Sequence, residues 1–179
     1  MPILLQLANL AERHPGVTKA LGEVYAEAAS VCLSRHHESP VDVGAEYRSQ
    51  EAECVLPWDA PSSAVLRAHA NEIDATEQGA YAVSFAAVEA LAGLVAVRRA
   101  ETLTGADYYV APLGADIDDM EECLRLEVSG VDAGGESTVR GRLRQKLRQT
   151  ENGRSNLPAL AAVVGFRERL IAIAQMGDA

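Results

Sequence analysis

Thr104-Gly105-Ala106-Asp107-Tyr108-Tyr109-Val110, followed after an acidic interval by Leu124-Arg125-Leu126-Glu127-Val128-Ser129, reads as two strands that each carry one carboxylate. In the second run Leu124, Leu126 and Val128 alternate with Arg125, Glu127 and Ser129. That period of two sends the apolar set to one face of a sheet and the polar set to the other. In the first run Asp107 follows Gly105 and precedes the strong strand formers Tyr108, Tyr109 and Val110, so it enters the sheet at the strand's start. Pairing of the two strands brings Asp107 and Glu127 together.

Outward from this pair, residues 71 to 94 form the longest helical pattern. Ile73, Ala80, Ser84, Val88 and Leu91 recur at spacings of three and four, a buried stripe. Glu77 falls on the same stripe, and a carboxylate there needs a cation, a hydrogen-bonding partner or a salt bridge to Arg98 or Arg99. Gly93 loosens the helix end, and Val95 to Ala100 reads as a strand turning through Leu103 to Gly105 into the Asp107 strand. Residues 113 to 122 are a solvated acidic loop, since Asp116, Asp118 and Asp119 lack the glycine and terminal glutamate offsets of a calcium loop.

Beyond Glu127, Ser137 or Thr138 caps a helix running to Gln149 and closed by Asn152-Gly153. It carries Arg140, Arg142, Arg144, Lys146 and Arg148, which form either a solvated basic face or a local phosphate-binding surface that also includes Gln149. Pro158 to Val164 is apolar throughout, as in a strand buried on both faces. Phe166, Leu170, Ile173 and Ala174 predict a final amphipathic helix over 166–176.

Toward the N-terminus, Thr18 caps a helix to about Ser34 with Leu21, Val24, Tyr25, Ala28, Val31 and Cys32 on its buried stripe. His36-His37-Glu38 precedes Pro40 and belongs to a turn rather than a metal centre. Residues 42 to 57 form an edge hairpin or extended arm, and Ser62 or Ser63 caps a short helix to His69. His14 and His69 are expected at the surface.

The chain has 179 residues and reads as one domain, able to bury roughly 70% of its unfolded surface. A net charge of −10 repels polyanions at long range, so any nucleic-acid contact has to be local. Three cysteines without a C-x-x-C pair point to reduced, buried thiols. No apolar run approaches the ~20 residues of a membrane span. The apolar start lacks a basic n-region, so a cytoplasmic protein without a membrane partner is expected.

Residues 71 to 165 give helix, strand, strand, strand, helix, strand. That order, with its acids, resembles the common core of the PD-(D/E)xK superfamily of restriction-endonuclease-like nucleases. The resemblance implies an α/β fold of the α+β kind, a mixed central sheet flanked by helices. Residues 1–70 would be an N-terminal extension, 71–165 the core and 166–176 the last helix. It also implies a hydrolase that binds magnesium or manganese through Glu77, Asp107 and Glu127 and cleaves DNA phosphodiesters. The family's lysine, two residues after the glutamate, is Ser129 here, and Lys146 on the following helix is the candidate replacement.

Hard magnesium prefers carboxylate oxygens, and phosphodiester hydrolysis needs a cation to neutralise phosphoryl charge and acidify a water. The first reading is therefore a magnesium-dependent nuclease, a homodimer or the cutting module of a bacterial-type defence or repair assembly with a partner protein. DNA would lie on Arg140, Arg142, Arg144, Lys146 and Gln149. The second is a non-catalytic interaction protein with the same fold. No phosphate loop, dinucleotide fingerprint or nucleophile elbow is present to favour another enzyme class.

Overall fold

The period-two run at residues 124–131 forms a strand, and the remainder of the sheet is assembled on either side of it. The computed structural model describes residues 1–116 and 118–177. In chain order the elements are β1 (Ile3–Leu4), α1 (Leu10–Arg13), α2 (Lys19–Ser34), β2 (Val41–Tyr47), β3 (Gln50–Leu56), α3 (Ser63–Ala68) and α4 (Glu72–Ala92). They continue with β4 (Leu94–Arg99), β5 (Tyr108–Pro112), β6 (Leu124–Val131), α5 (Glu136–Glu151), β7 (Ala159–Gly165) and β8 (Leu170–Gln175).

All these strands join one mixed eight-stranded sheet in the order β1-β3-β2-β8-β7-β6-β5-β4. The strands β4, β5 and β6 are an antiparallel meander. Helix α5 then crosses over to make β7 parallel to β6, as a parallel neighbour requires. On one face α2 and α4 pack over Tyr108, Leu126, Val128, Leu160 and Ile171. On the other, α5 lays Val139 and Leu143 on Val131, Val163 and Ala172.

The N-terminal third is part of this sheet. Strand β2 runs parallel to β8 and pairs with β3 through a two-residue hairpin, so residues 42–57 are the hairpin of the two expected alternatives. Arg48 and Ser49 both take positive φ, 50° and 60°, the turn whose twist matches the strands although neither residue is the usual Asn or Gly.

Four sequence expectations are corrected. Residues 166–176 are a turn and strand β8, not a helix. Ile171 and Ile173 face α2 and α4 while Leu170 and Ala172 face α5, and burial on both sides hides the alternation. Leu21, Val24 and Ile73, placed on buried stripes by their spacing, are exposed at 40%, 37% and 78%. His14 and His69 are buried. The cap of α5 is Gly135, upstream of Ser137, and uses no side-chain bond.

His14 seals a sheet edge. Its Nδ1 accepts from the Ala96 amide at 3.0 Å, and the Ala96 carbonyl accepts from the Gly16 amide at 2.9 Å. The loop between α1 and α2 thus occupies the outward backbone groups of edge strand β4, which would otherwise invite another strand. A Cβ on Gly16 would collide with the Val97 and Arg98 backbone, so the close approach requires glycine.

Arg125 is equally buried, 1% exposed, and has no carboxylate partner among the described residues. It donates instead to three carbonyls, of Thr104, Thr150 and Leu157, tying the β4–β5 turn to the end of α5 and the start of β7.

Burial pushes the His14 pKa from 6.5 down to about 4, with Glu89 opposing the shift. The unfolded chain therefore takes up the proton first as pH falls. Stability from this group is complete above about pH 6.5 and is lost toward pH 4, by ~3 kcal/mol at most. Urea unfolding at pH 7.5 and 4.5 should show a larger acid loss for the wild type than for His14→Asn. Equal losses would mean that His14 does not control this dependence.

Candidate functional site

The site begins where a strand stops. Strand β5 pairs with β6 only at Leu124, Arg125 and Leu126, so the β6 edge from Glu127 onward has no strand beside it. The Asp107 amide donates to the Leu126 carbonyl at 2.9 Å, closing the ladder. The Asp107 carboxylate then replaces the next ladder acceptor, taking the Val128 amide on Oδ2 at 2.8 Å. Helix α4 runs close against the same bare edge. A Cβ on Gly130 would lie 2.5 Å from the Thr76 carbonyl oxygen.

Glu127 lies on the α5 face, as its alternation requires, and accepts from Lys146 Nζ at 2.7 Å. The pair is mostly buried, 12% exposed for Glu127 and 19% for Lys146. Burial raises the Glu127 pKa and the nearby Asp107 charge raises it further, while Lys146 pulls it down. The two carboxylates of the opening stretch are thus adjacent, with a lysine from another element set on one of them.

Helix α5 divides its cations by face. At 100° per residue Arg142 and Lys146 share a side, which is turned to the cavity. Arg142 also reaches Ser129 Oγ at 3.4 Å, a long contact. Arg140 points the other way and is held by Glu46 at 2.6 Å and Glu136 at 2.7 Å. Arg144, Arg148 and Gln149 are exposed and lie outside the cavity lining.

Across the sheet, Asp107 Oδ1 accepts from Tyr81 Oη at 2.9 Å and lies 3.7 Å from Arg99 Nη2. The Arg99 guanidinium stands over the rings of Tyr81 and Tyr108, 5.1 and 4.9 Å from their centroids. A bulge makes this possible. Ala96 pairs with Val110 and Arg98 with Tyr109, so Val97 is an extra residue and Arg99, not Arg98, shares the face of Tyr108. Burial raises the Tyr81 pKa, and the Asp107 charge raises it further, keeping the hydroxyl a donor.

Between α4, β6 and α5 lies a cavity of about 440 Å³, lined on the α4 side by Glu72, Ile73, Thr76 and Glu77. Asp107, Val128 to Gly130, Asp132, Arg142 and Lys146 complete it. Glu77 is an exposed wall residue without a salt bridge among the described residues. The requirement for a compensating partner in a buried stripe therefore does not apply to it. Asp132 is tied to Arg35 at 3.1 Å and lies 3.3 Å from His36.

Among the described residues no group of three or more His, Cys, Asp and Glu side chains is gathered for an ion. Magnesium commonly takes only one or two protein carboxylates and completes its shell with water and substrate phosphate. Asp107 and Glu127 supply two carboxylates of that kind, and one Glu127 oxygen is taken by Lys146. Tyr81 and Val128 each use one lone pair on different Asp107 oxygens, leaving further acceptor capacity on both.

Comparison with protein-family models, curated proteins and solved structures gave no match. Function therefore has to be argued from the site itself. Sequence reading overlooked Tyr81, and it considered Arg99 only as a structural salt-bridge partner for Glu77 or Asp107; the structure sets it 3.7 Å from Asp107. The available signal was Tyr81 one helical turn after Glu77, together with an arginine pair closing the strand before Asp107.

Removing Lys146 leaves Glu127 buried beside Asp107 with no countercharge. Lys146→Met should cost ~2 kcal/mol at pH 8. The raised Glu127 pKa means that this penalty appears as pH rises through it and is relieved at low pH, where the carboxyl is protonated. Denaturation of both proteins at pH 8 and pH 5 checks the sign. A penalty independent of pH would assign the loss to packing alone.

Proposed function

We propose that the chain is a divalent-metal-dependent phosphodiesterase of the restriction-endonuclease-like kind, acting on DNA. The observation that carries this reading is Lys146. Helix α5 places its ammonium 2.7 Å from Glu127, beside Asp107, at the wall of a cavity that Arg142 also enters. A lysine delivered by the crossover helix supplies the positive charge that Ser129 lacks. The helix and strand order from α4 to β7 supports the same reading.

Asp107 and Glu127 would hold magnesium or manganese. When bound, that ion neutralises phosphoryl charge and lowers the pKa of an attacking water. Tyr81 and the Val128 amide fix the Asp107 carboxylate, so its free lone pairs keep one direction. Lys146 stabilises negative charge developing on the phosphate, and Arg142 draws the phosphate into the cavity. Arg140 takes no part, because Glu46 and Glu136 already engage it.

A second reading, a non-catalytic scaffold, draws on the same contacts. Asp107 completes a sheet ladder and Glu127 forms a salt bridge, roles that need no substrate.

Oligonucleotide and plasmid cleavage with manganese or magnesium separates the two. Asp107→Asn and Lys146→Ala should each lower cleavage by about a hundredfold or more while the chain stays folded. Cleavage unchanged in both variants, or no cleavage by the wild type in either metal, would leave the scaffold.

A further inference from the structure

Arg99 is a cation beside Asp107 that the phosphodiesterase reading leaves without a task. Its side chain is 53% exposed, and its one carboxylate neighbour among the described residues, Asp107, is 3.7 Å away. Burial alone would lower its pKa, but Tyr81 and Asp107 outweigh that, so it stays charged. Backbone register places it two strands from β6, since Arg99 pairs with Tyr108 and Tyr108 with Leu126. Two strand spacings are ~10 Å. Asp107 sits between them.

On the far side of Asp107, Arg142 is exposed and forms no ion pair among the described residues. The wall that faces Arg142 across the cavity is α4, which presents Glu72 and Glu77 there, while Arg99 lies outside the cavity lining, over Tyr81 farther along the same helix. A phosphate at Arg142 therefore faces the α4 carboxylates, and Arg99 offers a second cation just beyond Asp107. A cavity with cations on one side and carboxylates on the other suits the phosphates of one strand. The second strand of a duplex would meet carboxylates.

We propose that Arg99 and Arg142 grip two phosphates of a single polynucleotide strand, on either side of the Asp107–Glu127 pair. This rests on the phosphodiesterase reading and names its substrate as single-stranded.

The test is fluorescence anisotropy of a labelled oligothymidylate about twelve nucleotides long, with calcium replacing magnesium, between about 50 and 200 mM salt. Each phosphate contact contributes about 0.7 to the slope of log affinity against log salt on a single strand. Arg99→Gln and Arg142→Gln should each reduce the slope by about that amount, and the double variant by about 1.4. Arg99→Lys should keep it, as should Arg140→Gln, with thermal melts confirming that each variant is folded. Unchanged slopes in both glutamine variants, no binding by the wild type, or tighter binding of the matching duplex would each overturn the proposal. The catalytic reading fails separately. If slopes fall as expected but Asp107→Asn does not alter cleavage, the grip stands and the phosphodiesterase does not.

Discussion

The hydrogen bond from the Val128 amide to the Asp107 carboxylate is the contact on which the site depends. A bare strand edge inside a protein leaves backbone donors unsatisfied, and each such donor is costly unless something accepts from it. Extending β5 by two residues would solve the problem and fill the space. A side-chain oxygen solves it without filling the space, and the room left over is the cavity between α4 and α5. The same carboxylate is thereby pinned at both oxygens, by Val128 and Tyr81, and held beside Glu127.

Charge is arranged on a finer scale than the net value of −10 suggests. The basic run on α5 has separate duties by helical face. Arg140 fastens the helix to β2 through Glu46, Lys146 offsets a buried glutamate, and Arg142 is left to face the cavity. Arg125 satisfies backbone carbonyls and meets no acid among the described residues. Counting cations along a helix therefore says little about how many remain to attract a polyanion.

Much of the central architecture was legible. While the register, bulge included, comes from the structure, the alternation from Leu124 to Ser129, the strand formers after Asp107 and the long helical period before Gly93 identify β6, β5 and α4. The Asp107–Glu127 approach was readable for the same reason. Strand β8 was not, because a strand buried on both faces loses the period of two, and Phe166, Leu170, Ile173 imitate helical spacing. Glu77 was misjudged through Ile73, an apolar residue that the fold leaves at a cavity mouth rather than in the core. His14 looked like a surface residue since nothing local reveals that a loop imidazole will be used to close a sheet edge formed 82 residues later.

The extra residue at Val97 makes strand length, more than residue identity, decide where a cation points. Exchanging Val97 for another apolar side chain keeps the count and leaves the Arg99 guanidinium over Tyr81 and Tyr108. Losing one residue anywhere between Val95 and Arg98 restores an even ladder and turns the last arginine of the strand to the opposite side of the sheet. Among descendants of this sequence, Val97 should exchange among apolar residues while the strand resists insertion and deletion. That pattern would mark a position held by geometry.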